Sequence, residues 1–369
     1  MEAPVIRAGT VALFFALGCT GPIEGETDGL RTLSASATTN NDGLATVSFD
    51  VDGEDAMLLT VQPDDPNLAY FSKLTDPNGT VVFDAESLWQ DSRSVSGGAY
   101  PDSVVSLNWP ALPGADPLQT GRWTAEIGVV DTDYYYVGGA GVTFDGELKV
   151  DGTFASGELD ADVIYTGQTG SDPEIVAAIE DAVEYWKDLY AQIGLDLVVE
   201  YWDYPDLDSI AKPGYGNAAD YVSMADMTPF RAVNVVITEE IENGSGLFGI
   251  AGGIPGPLVS TGNSGVAVSS TMHSGPDLRF DDGEIGVLGE TLAHETGHFL
   301  GLFHPVEATY DLWDSLDDTP ECSTENGCIE ALGQNLMYPY PICDQSSCWP
   351  QDELTDDQGD VANQYTAAR

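Results

Sequence analysis

The chain has 369 residues, enough for two domains with a core in each. Its 62 acidic side chains against 11 basic ones give a formal net charge of −51, which excludes binding to nucleic-acid phosphates or directly to an anionic bilayer. The acids are spread along the chain, so they describe a solvated surface suited to solubility or high salt.

Residues 1–19 place one basic residue, Arg7, before a short apolar run that ends in small residues. That run is too short for a stable membrane anchor and reads as an export signal. Ala16-Leu17-Gly18-Cys19 resembles a bacterial lipoprotein cleavage box, which makes Cys19 the lipidation candidate. A plain secretion signal is the rival reading. The expectation is an exported protein, either a bacterial cell-surface or outer-membrane lipoprotein or a secreted one. It would touch membrane only through an anchor at Cys19. Residues 20–40, rich in Gly, Thr, Ser and Asn, are expected to be a flexible tether.

Residues 41–150 carry short β-type runs between turn signals. Val47, Phe49 and Val51 alternate with Thr46, Ser48 and Asp50. Met57–Val61, Thr80–Phe83, Val104–Leu107 and Trp123–Ile127 follow, and Asp76-Pro77-Asn78-Gly79 is a strong turn. The segment predicts an all-β sandwich of about seven or eight strands, a binding or spacer domain with no catalytic cluster. It resembles the small β-sandwich domains that accompany secreted bacterial peptidases. The acids between Asp50 and Asp55 are either a calcium loop or solvated turns.

Residues 155–369 switch to an α+β pattern. Leu159–Tyr165 is a strand. Asp172 caps a helix whose apolar stripe runs through Ile175, Ile179, Ala182, Trp186, Leu189 and Ile193 and ends at Gly194. Leu195–Tyr201 and Ala232–Ile237 are strands, and 203–230 is irregular. The Gly-rich stretch 244–265 leads into Val266–Val268, expected as the sheet edge over a cleft. There it could pair with an extended peptide. His273 reads as an ordinary loop residue.

A helix is expected over Glu284–Phe299, capped by Asp281 or Asp282, with Ile285, Leu288 and Leu292 facing the core. Glu290 reads as exposed. The helix carries His294-Glu295-Thr296-Gly297-His298 and runs on to Gly301 and His304, the pattern H-E-x-x-H-x-x-G-x-x-H. At about 100° per residue, His294 and His298 fall on nearly one helix face. Gly301 can take the left-handed conformation that swings His304 toward the same point. Three imidazoles leave a fourth position for water, the arrangement of a catalytic zinc site. Glu295 is placed to take a proton from that water. The chain has four His in all, and three lie in this pattern.

Downstream, Cys322, Cys328, Cys343 and Cys348 suggest two disulfides of open connectivity. A zinc held by these four thiolates is disfavoured, because C-x-x-C spacing is absent. Leu354–Tyr365 reads as a closing helix.

The zinc pattern, followed by Asn335-Leu336-Met337-Tyr338, resembles the metzincin metallopeptidases. Asp317-Asp318-Thr319-Pro320-Glu321-Cys322, Cys343 and Leu354-Thr355-Asp356-Asp357-Gln358 look like the pappalysin-like branch, the cytophagalysins. The resemblance covers roughly 155–369 and is strongest in 290–360. It implies a metzincin-like catalytic domain with a mixed twisted sheet, a zinc helix and a Met-turn. It also implies a zinc endopeptidase acting on proteins or peptides as a monomer: zinc on His294, His298 and His304, Glu295 as general base, and Met337 beneath the metal. Further implications are the crossed disulfides Cys322–Cys343 and Cys328–Cys348, against the local alternative Cys322–Cys328 and Cys343–Cys348, and a calcium ion near the Asp-rich segment. Members often carry Tyr two residues after the Met. Here Pro339 stands there between Tyr338 and Tyr340, so both are candidates to stabilise the reaction intermediate. Pro305 also follows the third His, unlike commoner members. The competing account is a non-catalytic surface lipoprotein that uses this scaffold for adhesion. The intact Glu295 argues against it.

Overall fold

The computed structural model describes residues 23–27, 30–150, 156–207, 210–211, 231–241, 246–275, 279–343 and 348–368. The expected signal and Cys19 lie outside these residues. The architecture is mixed α+β with several sheets.

The first half holds β1 (Ile23–Thr27), β2 (Leu30–Thr38), β3 (Leu44–Val51), β4 (Ala56–Pro63), β5 (Leu68–Thr75), β6 (Val81–Asp84), β7 (Arg93–Ser94), β8 (Val105–Trp109), β9 (Gly121–Val130) and β10 (Gly141–Lys149). A four-residue helix, α1 (Ala85–Leu88), follows β6. One sheet runs β1-β2-β10-β4-β8 and another β3-β9-β5-β6. Both contribute to one apolar core, in which Phe49 of β3 meets Phe144 of β10 at 5.6 Å between ring centres. Within the stretch expected as a tether, 20–40, residues 30–38 form the strand β2, while residues 20–22 and 28–29 lie outside the described residues. Leu30 and Leu33 of β2 are buried, and β2 pairs with β10 along Leu30–Thr38. Its small polar residues alternate with apolar ones, which suits a half-buried strand as well as a linker.

The second half begins with β11 (Gly157–Thr166), then α2 (Pro173–Ala191), β12 (Leu195–Tyr204), β13 (Ile210–Ala211), β14 (Val233–Thr238), β15 (Glu240–Ile241), β16 (Gly249–Ala251) and β17 (Val266–Ser269). There follow α3 (Ser270–His273), α4 (Asp282–Phe299), β18 (Trp313–Asp314), α5 (Glu325–Leu332) and α6 (Asp356–Gln364). The main sheet runs β12-β11-β14-β17-β16, parallel except for β16, which pairs antiparallel to β17. The edge is therefore β16, not Val266–Val268. The Gly-rich stretch itself folds back as the last strand and makes β17 internal. α2 and α4 lie together on one face of the sheet. Gly289 allows this approach, since a Cβ there would stand 2.9 Å from the Ala182 carbonyl oxygen, and the Tyr190 hydroxyl donates to the Ala293 carbonyl at 2.9 Å.

The halves are joined along a broad seam. β4 is buried on both faces: Met57, Leu59 and Val61 face the first core, while Leu58 belongs to the second. β7 pairs in parallel with β18, and the Lys149 ammonium donates to the Asn363 carbonyl at 2.9 Å.

Both disulfides are local, Cys322–Cys328 and Cys343–Cys348, so the crossed pairing implied by the resemblance is corrected. Thr324 caps α5 and turns the chain so that Cys328, on the helix, comes back within 5.2 Å (Cα–Cα) of Cys322. Cys343 and Cys348 face each other across an antiparallel bridge.

Candidate metal centre

α4 delivers the first two imidazoles. It starts in a capping box: Asp281 accepts from the Gly283 and Glu284 amides at 2.9 Å, and Glu284 returns a bond to the Asp281 amide. The helix stops at Phe299, and Gly301 takes φ of 110°, a value open to glycine, which redirects the chain toward His304. The ring centres of His294, His298 and His304 lie 4.6, 4.7 and 5.3 Å apart in pairs. Their candidate ligand nitrogens all fall within 4.8 Å of one another. Among the described residues this is the one group of three or more His, Cys, Asp or Glu with such geometry.

The outer nitrogens decide which atoms face the centre. His294 Nδ1 bonds to the Leu336 carbonyl at 2.7 Å, His298 Nδ1 to the Leu302 carbonyl at 2.6 Å, and His304 Nδ1 to the Glu307 carboxylate at 3.0 Å. A carbonyl can only accept, so the ring protons sit on Nδ1 and the Nε2 lone pairs turn inward. His298 Nε2 and His304 Nε2 then face each other across 3.1 Å. Two lone pairs at that distance repel unless a cation lies between them. Three imidazole nitrogens with room for a further ligand suit zinc. Burial, with the neighbouring His304 adding, pushes His294 down to about 3, and burial holds His298 well below the ordinary histidine range, as ligation requires.

Below the centre, Met337 is fully buried, and a Cβ on Gly297 would stand 2.8 Å from its sulfur. Asn335 holds this turn, accepting from the Met337 amide at 2.9 Å. It also exchanges two amide bonds with Gln358 of α6, at 2.9 and 3.1 Å. The turn thus joins the thioether to the Leu336 carbonyl that orients the first ring.

Glu295 keeps part of its surface open to the cleft. Burial pushes its carboxyl up to about 8, opposed by the Ala251 N–H. A dication nearby would oppose the rise as well. Beside His294 and Glu295 lies a cavity of about 230 Å³ whose walls include Leu247, Phe248, Val287, Tyr338, Tyr340 and Pro341. Both candidate tyrosines therefore reach the site. Their hydroxyls bond with each other at 3.4 Å, and Tyr340 bonds closely to Tyr310.

Two expectations are corrected here. Glu290 is buried, not exposed. It lines the cavity, accepts from the Gln351 amide at 3.0 Å, and is pushed up to about 7 by burial. The chain after the Cys343–Cys348 disulfide folds over that face of α4, which helical spacing alone does not reveal. His273 is not an ordinary loop residue. It is buried on α3 between the Ser269 carbonyl at 2.6 Å and the Thr291 hydroxyl at 2.9 Å, and burial pushes it down to about 4. It braces α4 from outside. Glu307 was missed by sequence reasoning, though a carboxylate three residues beyond the third histidine is a readable signal. Among the described residues, neither Asp-rich segment gathers a cation cage. In the first, Arg31 takes Glu54 and Arg122 takes Asp50.

No family model and no curated protein matches the chain. Among solved structures it is similar to archaemetzincin from Methanopyrus kandleri, at 18% identity over 39% of this chain and 76% of that one, with a TM-score of 0.26. It is also similar to metalloproteinase-II from Bacteroides fragilis, at 11% identity over 84% of this chain and 80% of that one, with a TM-score of 0.28. At such scores neither superposition decides fold or function.

Proposed function

We propose that the protein is a zinc-dependent endopeptidase with a metzincin-like catalytic half, preceded by an accessory β-sandwich. The observation that carries this reading is the inward convergence of three Nε2 atoms whose Nδ1 partners are all acceptors. Zinc held by His294, His298 and His304 would supply Lewis acidity and lower the pKa of a water in the site. Glu295, on the cleft side of the same helix, takes the proton of the attacking water and passes it to the leaving amine nitrogen. The Leu336, Leu302 and Glu307 acceptors hold the rings in the tautomer that keeps Nε2 free. Tyr338 and Tyr340 border the cavity where the tetrahedral oxygen would develop.

The cavity supports a substrate class. Its walls are mostly apolar, and the buried carboxylate of Glu290 lines it. A side chain with an apolar stem and a cationic head, lysine or arginine, matches that lining. The net charge of −51 would draw basic peptides in.

Two disulfides fit an exported protein, and among the described residues no helix is long and apolar enough to cross a membrane. Lipidation at Cys19 is tested by the mass of the mature N-terminus. The peptidase reading is tested by zinc content and hydrolysis of a peptide library. One zinc per chain and loss of turnover by about 10²–10⁴-fold in Glu295→Gln is the expected result. Equal turnover in both proteins would remove the mechanism and leave a metal-binding adhesion scaffold.

A further inference from the structure

The edge strand β16 lies directly against the carboxylate of Glu295. A Cβ built on Gly249 would stand 2.5 Å from Glu295 Cγ, 2.9 Å from its Oε1 and 3.0 Å from its Cδ. The side chain of the base thus packs on the bare Cα of one residue. Ala251 lies two residues along, on the same face of the strand.

The ladder shows which N–H groups of β16 point away from β17. Phe248 accepts from the Ser269 amide at 2.9 Å, and Gly252 donates to the Gly265 carbonyl at 2.9 Å. The register pairs Ile250 with Ala267. In an antiparallel pair the bonded residues alternate, so Phe248, Ile250 and Gly252 serve β17. Gly249 and Ala251 point their N–H groups away from β17, toward the open edge. A strand at a sheet edge has such groups to spare.

We propose that β16 positions the catalytic base, with Gly249 giving Glu295 its room and the outward N–H of Ala251 giving its carboxylate a fixed partner. This rests on Glu295 acting as the base. The strand has no reacting atom; it acts through Glu295. A methyl group at 249 would meet the flexible part of a glutamate, not backbone, so the fold absorbs it and the carboxylate moves.

The test compares zinc-loaded full-length wild type, Gly249→Ala, Ala251→Pro and Glu295→Gln. Ala251→Pro deletes an N–H that the ladder does not use, a substitution an edge strand tolerates. Both strand variants are expected to keep one zinc per chain and a KM within about twofold of wild type, while kcat falls about 10–100-fold. A kcat within about twofold of wild type in both would overturn the proposal. Crystal structures of Gly249→Ala and wild type supply a readout independent of turnover. The Glu295 carboxylate is expected to leave the Ala251 N–H in the variant. If it stays in place, the positioning role is wrong whatever the activity. If instead wild type and Glu295→Gln turn over alike while the carboxylate does move, the peptidase reading fails and the packing relationship stands.

Discussion

Glu307 Oε2 stands 3.0 Å from Nδ1 of His304, so the third imidazole is held by a carboxylate where the other two are held by backbone carbonyls. This matters because His304 lies beyond the helix, on a turn that depends on Gly301, and has no helical neighbour to orient it. A carboxylate behind a ligating histidine fixes the ring and raises its basicity. Glu307→Ala is expected to weaken zinc retention about 10–100-fold in a chelator competition, with the secondary structure unchanged by circular dichroism. Retention equal to wild type would mean that the contact is incidental.

Met337 is predicted to act by volume. Its sulfur fills the space against Gly297, and its backbone carries the Leu336 carbonyl into position. Met337→Leu should cost less than about 1.5 kcal/mol, because it nearly conserves volume. Met337→Ala should cost about 2–5 kcal/mol by leaving a cavity under the zinc helix. Denaturant unfolding of the zinc-loaded proteins measures both. Equal losses would point to a role beyond filling space.

Glu290 should set preference. In Glu290→Leu the cavity keeps its apolar walls and loses its carboxyl group. Cleavage beside lysine and arginine is expected to fall at least about tenfold relative to cleavage beside leucine or methionine in a peptide library. An unchanged profile would show that the side chain entering this cavity is not read by the carboxylate.

Glu147 supplies a pH dependence separate from the metal. It is buried on β10, and burial, with Asp145 adding, pushes it up to about 8. The folded state therefore keeps the proton up to about pH 8, while the unfolded chain releases it near about 4.3. Between these values the unfolded state binds fewer protons, so stability falls as pH rises. The contribution is complete below about pH 4 and lost by about pH 8. Melting of wild type should drop between pH 5 and 8 more steeply than melting of Glu147→Gln, which has no proton to lose. Parallel slopes would remove this assignment.

The histidine cluster was legible in the primary structure because its spacing is local. His294, Glu295 and His298 share one helix, Gly301 allows the reversal, and His304 follows three residues later. Spacing alone brings these groups close. The cap at Asp172, the choice of Asp281 or Asp282 for α4, and the helices that they start were legible for the same reason, and the structure selects Asp281.

Contacts between distant segments were not legible. Whether Glu290 faced water or a cavity depended on Gln351, sixty-one residues away, folding over it. β2 looked like a linker because a small-residue strand is recognised by the neighbour that pairs with it, and here β10 does so more than a hundred residues later. The cysteine positions left three pairings open, and the turn into α5 selected the short loop.

What the amino-acid order determined by itself is a set of imidazoles and a carboxylate at helical intervals, since backbone geometry converts near spacing into direction. What only the tertiary structure decided is which distant groups stand around that set: the Leu336 carbonyl, the Gly249 Cα and the Glu290 side chain that lines the cavity. Each depends on chain closure between strands, helices and turns, and side-chain periodicity carries no record of the partner that will arrive.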